Sequence, residues 1–287
     1  MSEKDVWLIT GCSTGFGREL AKYLLENGYR VAVTARDAQK TDDLVAIRPE
    51  NALAVNLDVT DKAQIQHVVT RAEERFGRID VLVNNAGFGY FGSVEESEER
   101  EVRAMFETNF WGLAEMTRAV LPGMRGRRAG AIVNISSIGG FVGFPGVGYY
   151  NATKFAVNGF SEALQKEVAP LGIRVIVVQP SGFRTDWAGR SANEAPNRIA
   201  DYAETAGANQ AAIRGYSGKQ PGDPARAAQA IVRAVEAENP PFNLLLGRAA
   251  LKNARLRLEA LQKDFDDWAE VTENADFPEA SATNSDK

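Results

Sequence analysis

The stretch Val6-Trp7-Leu8-Ile9-Thr10-Gly11-Cys12-Ser13-Thr14-Gly15-Phe16-Gly17, followed at once by Arg18–Glu26, decides the fold. The run Val6–Thr10 reads as a buried strand, and helix-type spacing begins directly after the third glycine. Glycine permits the tight turn and close backbone approach that a pyrophosphate needs, while a helix N-terminus offers free N–H groups and a favourable dipole. A glycine-rich turn alone is a weak signal. With a strand before it and a helix after it, the turn reads as a dinucleotide cradle in which Gly11, Ser13, Thr14, Gly15, Phe16 and Gly17 are the candidate contacts. Cys12, small and shielded inside the turn, reads as a filler rather than a nucleophile.

Working outward, apolar β-branched runs recur at Val31–Thr34, Ala52–Leu57, Val81–Val83, Ala131–Ile135, Arg174–Gln179 and Phe242–Leu246. Segments with helical spacing, such as Lys62–Phe76, separate them. The alternation predicts one doubly wound α/β domain over residues 1–272, its sheet mostly parallel and helices on both faces. Gly182–Asp223, rich in Ala, Gly, Asn, Pro and Ser, reads as a long excursion whose aromatics Trp187, Tyr202 and Tyr216 favour a substrate lid at about 183–222. Pro224–Glu238 reads as a helix. In the final helix, at about 249–271, Leu251, Ala254, Leu258, Leu261, Phe265 and Trp268 fall three and four apart. Such a stripe is expected to pack on its own domain, with a partner-binding helix as the alternative. Residues 273–287 read as a flexible tail.

Composition removes whole classes of function. Among 287 residues, Lys+Arg 33 against Asp+Glu 38 leave a net charge of −5, so no positive field recruits nucleic acid or an anionic membrane. An apolar share of 44% with 25% charged residues is that of a packed soluble domain. One Cys and one His, His67, exclude a disulfide framework and His- or Cys-rich metal sites, so no metal is expected. No leader-like N-terminus or long apolar span is read, and the expected location is cytoplasmic. Any proton transfer must use a residue other than histidine.

The second strand ends Ala35-Arg36-Asp37. In dinucleotide folds this position meets the adenosine ribose, where a carboxylate selects NAD and an arginine accommodates a 2′-phosphate. Ala35 carries no repelling charge and Arg36 offers a planar fork, which favours NADP(H) with NAD(H) possible. The alternative is an Arg36 that is solvated or paired with Asp37. Asp58, followed by Val59, either accepts a hydrogen bond from the adenine amino group or caps the helix near Lys62. Asn84-Asn85-Ala86-Gly87 forms a polar turn at the carboxyl edge of the sheet, where open α/β folds bind ligands.

The strongest signal is Tyr150-Asn151-Ala152-Thr153-Lys154, opening an amphipathic helix, with Ser137 thirteen residues earlier at the end of the fifth strand. Tyr150 and Lys154 are i and i+4 and share a helix face. A nearby ammonium is expected to favour the phenolate and lower the phenol pKa, giving a nearly histidine-free protein an acid/base group. Tyr149, whose i+4 partner is Thr153, has no such neighbour.

These residues resemble the short-chain dehydrogenase/reductase family: TGxxxGxG at Thr10–Gly17, NNAG at Asn84–Gly87, Asn109 in a central helix, Ser137, and YxxxK at Tyr150–Lys154. The resemblance covers about residues 4–247. It implies a Rossmann domain with seven parallel strands and the tetrad Asn109, Ser137, Tyr150 and Lys154. By that resemblance Ser137 orients a carbonyl, Tyr150 exchanges the proton, Lys154 binds ribose hydroxyls and lowers the tyrosine pKa, and Asn109 holds a relay water. Pro180-Ser181-Gly182-Phe183-Arg184-Thr185 is similar to the segment that positions the nicotinamide carboxamide, with Pro180, Gly182, Phe183 and Thr185 as contacts. Ser181 departs from the usual glycine, and Thr14 stands where many NADP-preferring relatives carry a basic residue. Leu244–Gly247 with the final helix is similar to a hydroxysteroid- and retinol-dehydrogenase-like branch.

The expectation is therefore an NADP(H)-dependent oxidoreductase interconverting a ketone or aldehyde and its alcohol, with Tyr150 as general acid/base. The alternatives are an NAD(H)-dependent alcohol dehydrogenase of the same fold, and a catalytically silent nucleotide-binding redox sensor. A P-loop protein is excluded because no Gly-Lys-Ser/Thr follows the glycines. Phe88, Tyr90, Phe91, Phe141, Phe144, Tyr149 and Trp187 are expected to ring the sheet edge, suiting an apolar carbonyl or alcohol substrate. A homodimer or homotetramer is expected, with Phe106, Phe110, Phe155 and Phe160 as candidate contact residues. His67 is read as a surface or packing residue.

Overall fold

The computed structural model describes residues 4–189 and 191–277. The apolar runs become strands β1 (Val6–Ile9), β2 (Arg30–Ala35), β3 (Ala52–Asn56), β4 (Val81–Asn84), β6 (Gly130–Ile135), β7 (Ile173–Pro180) and β9 (Asn243–Leu246), while β5 (Gly89–Phe91) and β8 (Ala192–Glu194) form a separate ribbon. The seven-stranded sheet has the order β3-β2-β1-β4-β6-β7-β9, and every pair is parallel. Trp7 of β1 stands opposite Val31 on one side and Val81 on the other. The order reverses on either side of β1, and ligands of doubly wound folds bind at that switch point.

Strand side chains alternate between two cores, as the period of two requires. Trp7 and Ile9 face one layer, with Leu20 and Leu24 of helix α1 (Gly15–Glu26) and Ile231 and Val235 of α8 (Pro224–Glu236). Val6 and Leu8 face the other, with Ile65 and Val68 of α3 (Lys62–Phe76), Met116 and Val120 of α5 (Leu113–Arg127), and Leu164 of α6 (Gly148–Val168). Both faces are covered, so the central strands read as unbroken apolar runs. The remaining helices are α2 (Asp42–Ile47), α4 (Glu99–Phe106), α7 (Ala208–Gly215), α9 (Arg248–Asp267) and α10 (Ala269–Glu273). A π-turn, Glu107–Gly112, joins α4 to α5.

Several expectations are corrected. The cap of α3 is Asp61, whose carboxylate accepts from the N–H groups of Ala63 and Gln64, whereas Asp58 accepts from Thr60. The excursion over 183–222 is not a plain loop: it carries a 3-10 turn at Asp186–Ala188, β8 and α7. β8 pairs in parallel with β5, placing Gly89 opposite Ala192. Glu96 clasps the same region, accepting from the N–H of Ser93 at 2.9 Å and of Ile199 at 2.7 Å, with Arg198 3.8 Å away. Those hydrogen bonds hold its carboxyl below the ordinary value.

The final helix does not bury its stripe. Ala250 and Ala254 pack against Ile138, but Leu258, Phe265 and Trp268 are 55%, 64% and 64% exposed. Periodicity announces an apolar face without saying what covers it, and after Ala254 the helix leaves the body of the domain. The predicted tail beyond 277 lies outside the described residues. His67 is exposed on α3.

Candidate active site

A cleft of about 1120 Å³ follows the carboxyl edge of the sheet. It gathers Gly11, Ser13, Thr14, Gly15 and Phe16 from the first turn, Arg36 from the end of β2, and Asp58 and Val59 from the end of β3. Asn85, Ala86 and Gly87 line it after β4, Ser137 after β6, Tyr150 and Lys154 on α6, and Pro180, Gly182, Phe183 and Thr185 after β7. Of the predicted residues, only Gly17 and Asn109 do not line it.

Gly17 instead closes the helix onto the turn: a Cβ there would stand 2.5 Å from both the Gly11 carbonyl oxygen and Asn85 Nδ2. Asn85 itself staples the two turns, donating from Nδ2 to the carbonyls of Thr10 and Gly11 at 2.9 Å each. The Thr10 hydroxyl accepts from the backbone of Asn85 and Ala86. Thr14 is the N-cap of α1 in an extended conformation and its side chain makes no capping bond. Cys12 is fully buried, donates to the Ile9 carbonyl, and burial pushes its thiol up to about 12, which fits a filler.

At the end of β2, Asp37 accepts from the N–H of Gln39 and lies 4.0 Å from Lys40. Its carboxylate serves the following 3-10 turn, and among the described residues Arg36 has no ion-pair partner. Asp58 uses one carboxylate oxygen on Thr60.

Tyr150 and Ser137 line the cleft together, and the Ser137 hydroxyl oxygen accepts from the Gly139 N–H at 3.0 Å. Lys154 Nζ donates to the Ile135 carbonyl at 2.9 Å and stands 5.8 Å from the Tyr150 ring centre. The expected lowering of the phenol by this ammonium is corrected. Burial pushes Tyr150 up to about 12 against the opposing pull of Ser137, and the same burial pushes Lys154 down to about 8. Trp187 of the lid packs on Tyr150, with ring centres 4.9 Å apart.

Asn109 sits in the π-turn and is 1% exposed. Its amide donates to the Phe88 carbonyl and to Thr153, and its oxygen accepts from the Phe88 N–H. The side chain holds the turn after β4 against α6. Of the seven expected aromatics, Phe88, Phe144 and Trp187 line the cleft. Tyr90 and Phe91 are buried beneath the lid, and Phe141 and Tyr149 pack on smaller clusters.

Other participants go beyond the site residues expected from the sequence. Asn84 donates to Thr117 and Asn134, and Asn134 to Ser161, a buried polar ladder tying β4 through β6 to α6. Ile213, Tyr216 and Gln220 of the lid, and Ala249 and Asn253 of α9, complete the wall.

The glycines facing the cleft pass a direct test of fit to a dinucleotide. Gly15 has φ +64°, a conformation L side chains rarely adopt, and at Gly11, φ +73°, a Cβ would stand 3.0 Å from Ala86 Cα. Bare backbone at a helix N-terminus, a cation at the end of β2, and Ser137, Tyr150 and Lys154 on the same cleft define a dinucleotide-dependent oxidoreductase fold. The short chain dehydrogenase family model matches residues 5–196, and the chain belongs to that family.

Relatives agree with this. The chain is 38% identical over 268 residues to "Oxidoreductase BOA17" of Botryotinia fuckeliana, covering 93% of this chain and 97% of that one. It is 39% identical over 246 residues to a "3-ketodihydrosphingosine reductase" of Bacteroides thetaiotaomicron, covering 85% and 88%. A short-chain dehydrogenase structure from Streptomyces avermitilis superposes with a TM-score of 0.90 at 43% identity, covering 96% of this chain and 100% of that one. Structures from Burkholderia phymatum in complex with NAD (TM-score 0.80, 28% identity, coverage 91% and 95%) and Burkholderia cenocepacia in complex with NADP (0.72, 26%, 92% and 97%) are also similar. Among the described residues no helix is long and apolar enough to cross a membrane.

Proposed function

We propose that the protein is an NADP(H)-dependent reductase or dehydrogenase that interconverts an apolar ketone or aldehyde and its alcohol. The observation that carries this reading is that Ser137, Tyr150 and Lys154 line the same cleft as the glycine turn. A nicotinamide held by the segment Pro180–Thr185 would supply or accept the hydride. Ser137 is the donor that orients the carbonyl oxygen, and Tyr150 gives it the proton during reduction or takes one during oxidation. Lys154, anchored on the Ile135 carbonyl, presents its charge to the ribose side of the cleft. Asn109 keeps the Phe88 backbone and α6 in register and acts by positioning.

NADP(H) is favoured over NAD(H) because Arg36 is unpaired among the described residues, while Asp37 is engaged elsewhere. An apolar substrate is supported by Phe88, Phe144, Trp187 and Ile213 on one side of the cleft. The relative that carries a 3-keto lipid base in its name is consistent with that. A homo-oligomer is proposed through the α4–α6 face, where Trp111 and Phe155 are 52% and 45% exposed; Phe110 and Phe160 pack on each other.

The test is Tyr150→Phe. It keeps the ring against Trp187 and removes the proton, so turnover of the best carbonyl in a panel should fall by orders of magnitude while NADPH binding survives. Activity within a few-fold of wild type would overturn the assignment.

A further inference from the structure

Helix α9 runs for 20 residues, yet only Ala250 and Ala254 are buried. The stripe Leu251, Ala254, Leu258, Leu261, Phe265, Trp268 alternates spacings of three and four, the seam of a two-helix coiled coil rather than the broader face of a helix lying on a sheet. Past Ala254 the described residues leave most of it open: Leu258, Phe265 and Trp268 are each more than half exposed.

The charges on this helix say what does. From Arg248 to Leu258 the ionised residues are Arg248, Lys252, Arg255 and Arg257, all basic. From Glu259 to Glu273 they are acidic except Lys263. We propose that α9 is a self-association helix, pairing antiparallel with α9 of a second copy about a two-fold axis that passes between Glu259 and Ala260.

In that register Leu258 meets the partner's Leu261 across the axis and Trp268 reaches the partner's Leu251, while Ala254 stays packed on Ile138 of its own chain. The exposed seam residues Leu251, Leu258 and Trp268 thus find complements, each contact made twice as an isologous interface requires. The positions flanking an antiparallel seam bring Arg257 beside the partner's Asp264, and by symmetry Asp264 beside the partner's Arg257. A parallel pair would set base against base and acid against acid. A lipid surface fits less well, because the largest exposed apolar groups, Phe265 and Trp268, are flanked by Asp264, Asp266 and Asp267, which an anionic bilayer repels.

The pairing also bears on the cleft. Ala249 and Asn253 of α9 line it, and Ala250 and Ala254 press on Ile138, next to Ser137. The helix that joins two copies is thus the helix that backs the wall beside the proposed carbonyl site.

The inference is independent of cofactor and substrate, and its test reads mass rather than turnover. Light scattering at micromolar concentration is run on the full chain as wild type, Arg257→Asp, Asp264→Arg, the double variant, and an equimolar mixture of the two single variants. Each single variant should halve the wild-type mass, since both symmetric pairs become repulsive. The double variant and the mixture should restore it, because opposite charges face again. If the α4–α6 face also pairs, the change is from tetramer to dimer; otherwise it is from dimer to monomer. An unchanged far-ultraviolet circular dichroism spectrum and a cooperative melt in the single variants separate lost pairing, which itself lowers the melting temperature, from lost folding. A monomeric wild type, single variants of unchanged mass, or a failure of both double variant and mixture to restore it would overturn the proposal. Wild type floating with phosphatidylcholine–phosphatidylserine vesicles, with a mass insensitive to these charges, would overturn it in favour of a membrane.

Discussion

Gly17 and Gly11 touch: a Cβ added at Gly17 would lie 2.5 Å from the Gly11 carbonyl oxygen, closer than real Cβ atoms approach anything. Gly17→Ala must therefore push the first turn away from α1. Overpacking of this kind costs about 1–3 kcal/mol. Denaturant melts should show that loss together with weakened NADPH binding. Gly126→Ala on α5 is the control, since a Cβ there meets nothing within 4 Å. It should gain up to about 1 kcal/mol of helix stability and leave binding alone.

Replacing Arg36 with Leu removes the cation that lines the cleft at the end of β2. A charge-assisted hydrogen bond is worth about 1.5–3 kcal/mol, roughly tenfold to a hundredfold in affinity. NADPH binding should weaken by that factor and NADH binding should hardly change, while Ala35→Asp should shift preference toward NADH. Fluorescence titration with both reduced nucleotides checks this; equal wild-type affinities would withdraw the NADP assignment.

Because burial raises the Tyr150 phenol to about 12, the protonated form needed for reduction is present throughout the neutral range. Lys154, depressed to about 8, loses its charge above that pH. Reduction should be flat below pH about 8 and decline above it. Oxidation, which needs the deprotonated phenol, should rise with pH. Rate profiles in both directions test the pair, and a reductive rate that already falls as pH rises from 6 to 7 would place the acid elsewhere.

Lys154 also ties stability to pH. Its folded-state pKa lies below its unfolded value of 10.5, so between about pH 8 and 10.5 the unfolded chain binds more protons than the folded one. Stability from this group rises with pH across that window, as the cost of burying the charge disappears. In melts of wild type and Lys154→Met from pH 7 to 10, wild type should gain on the variant. A constant gap would mean that the ammonium is not desolvated in the folded state.

Much of this was legible in the residues. Seven strands were visible because both faces of a parallel sheet are buried, leaving unbroken apolar runs such as Val81–Val83. The cleft was visible because bare backbone, a phenol and an amine at i+4 are local patterns. What escaped was long-range. Gly89–Phe91 and Ala192–Glu194 are three residues each and about a hundred apart, so neither announces the ribbon that buries Tyr90 and Phe91. The phenol pKa escaped for a related reason, since burial depends on Trp187 and the lid and not on the Tyr-to-Lys spacing. The α9 stripe was seen, but its uncovered state depends on where the domain ends.

The clasp at Glu96 has a consequence for how such a scaffold diversifies. One carboxylate binds the backbone of Ser93 and Ile199, β8 is stitched to β5, and at the far end Arg184 bonds to the Gln220 and Gly222 carbonyls. Both borders of the excursion are thus fastened, and between them Arg214 ties α7 back to the Ala188 and Ala192 carbonyls. Substitution of the residues that this segment turns toward the cleft, Ile213 and Tyr216, is expected to retune which molecules are admitted while leaving the Tyr150–Lys154 pair in place.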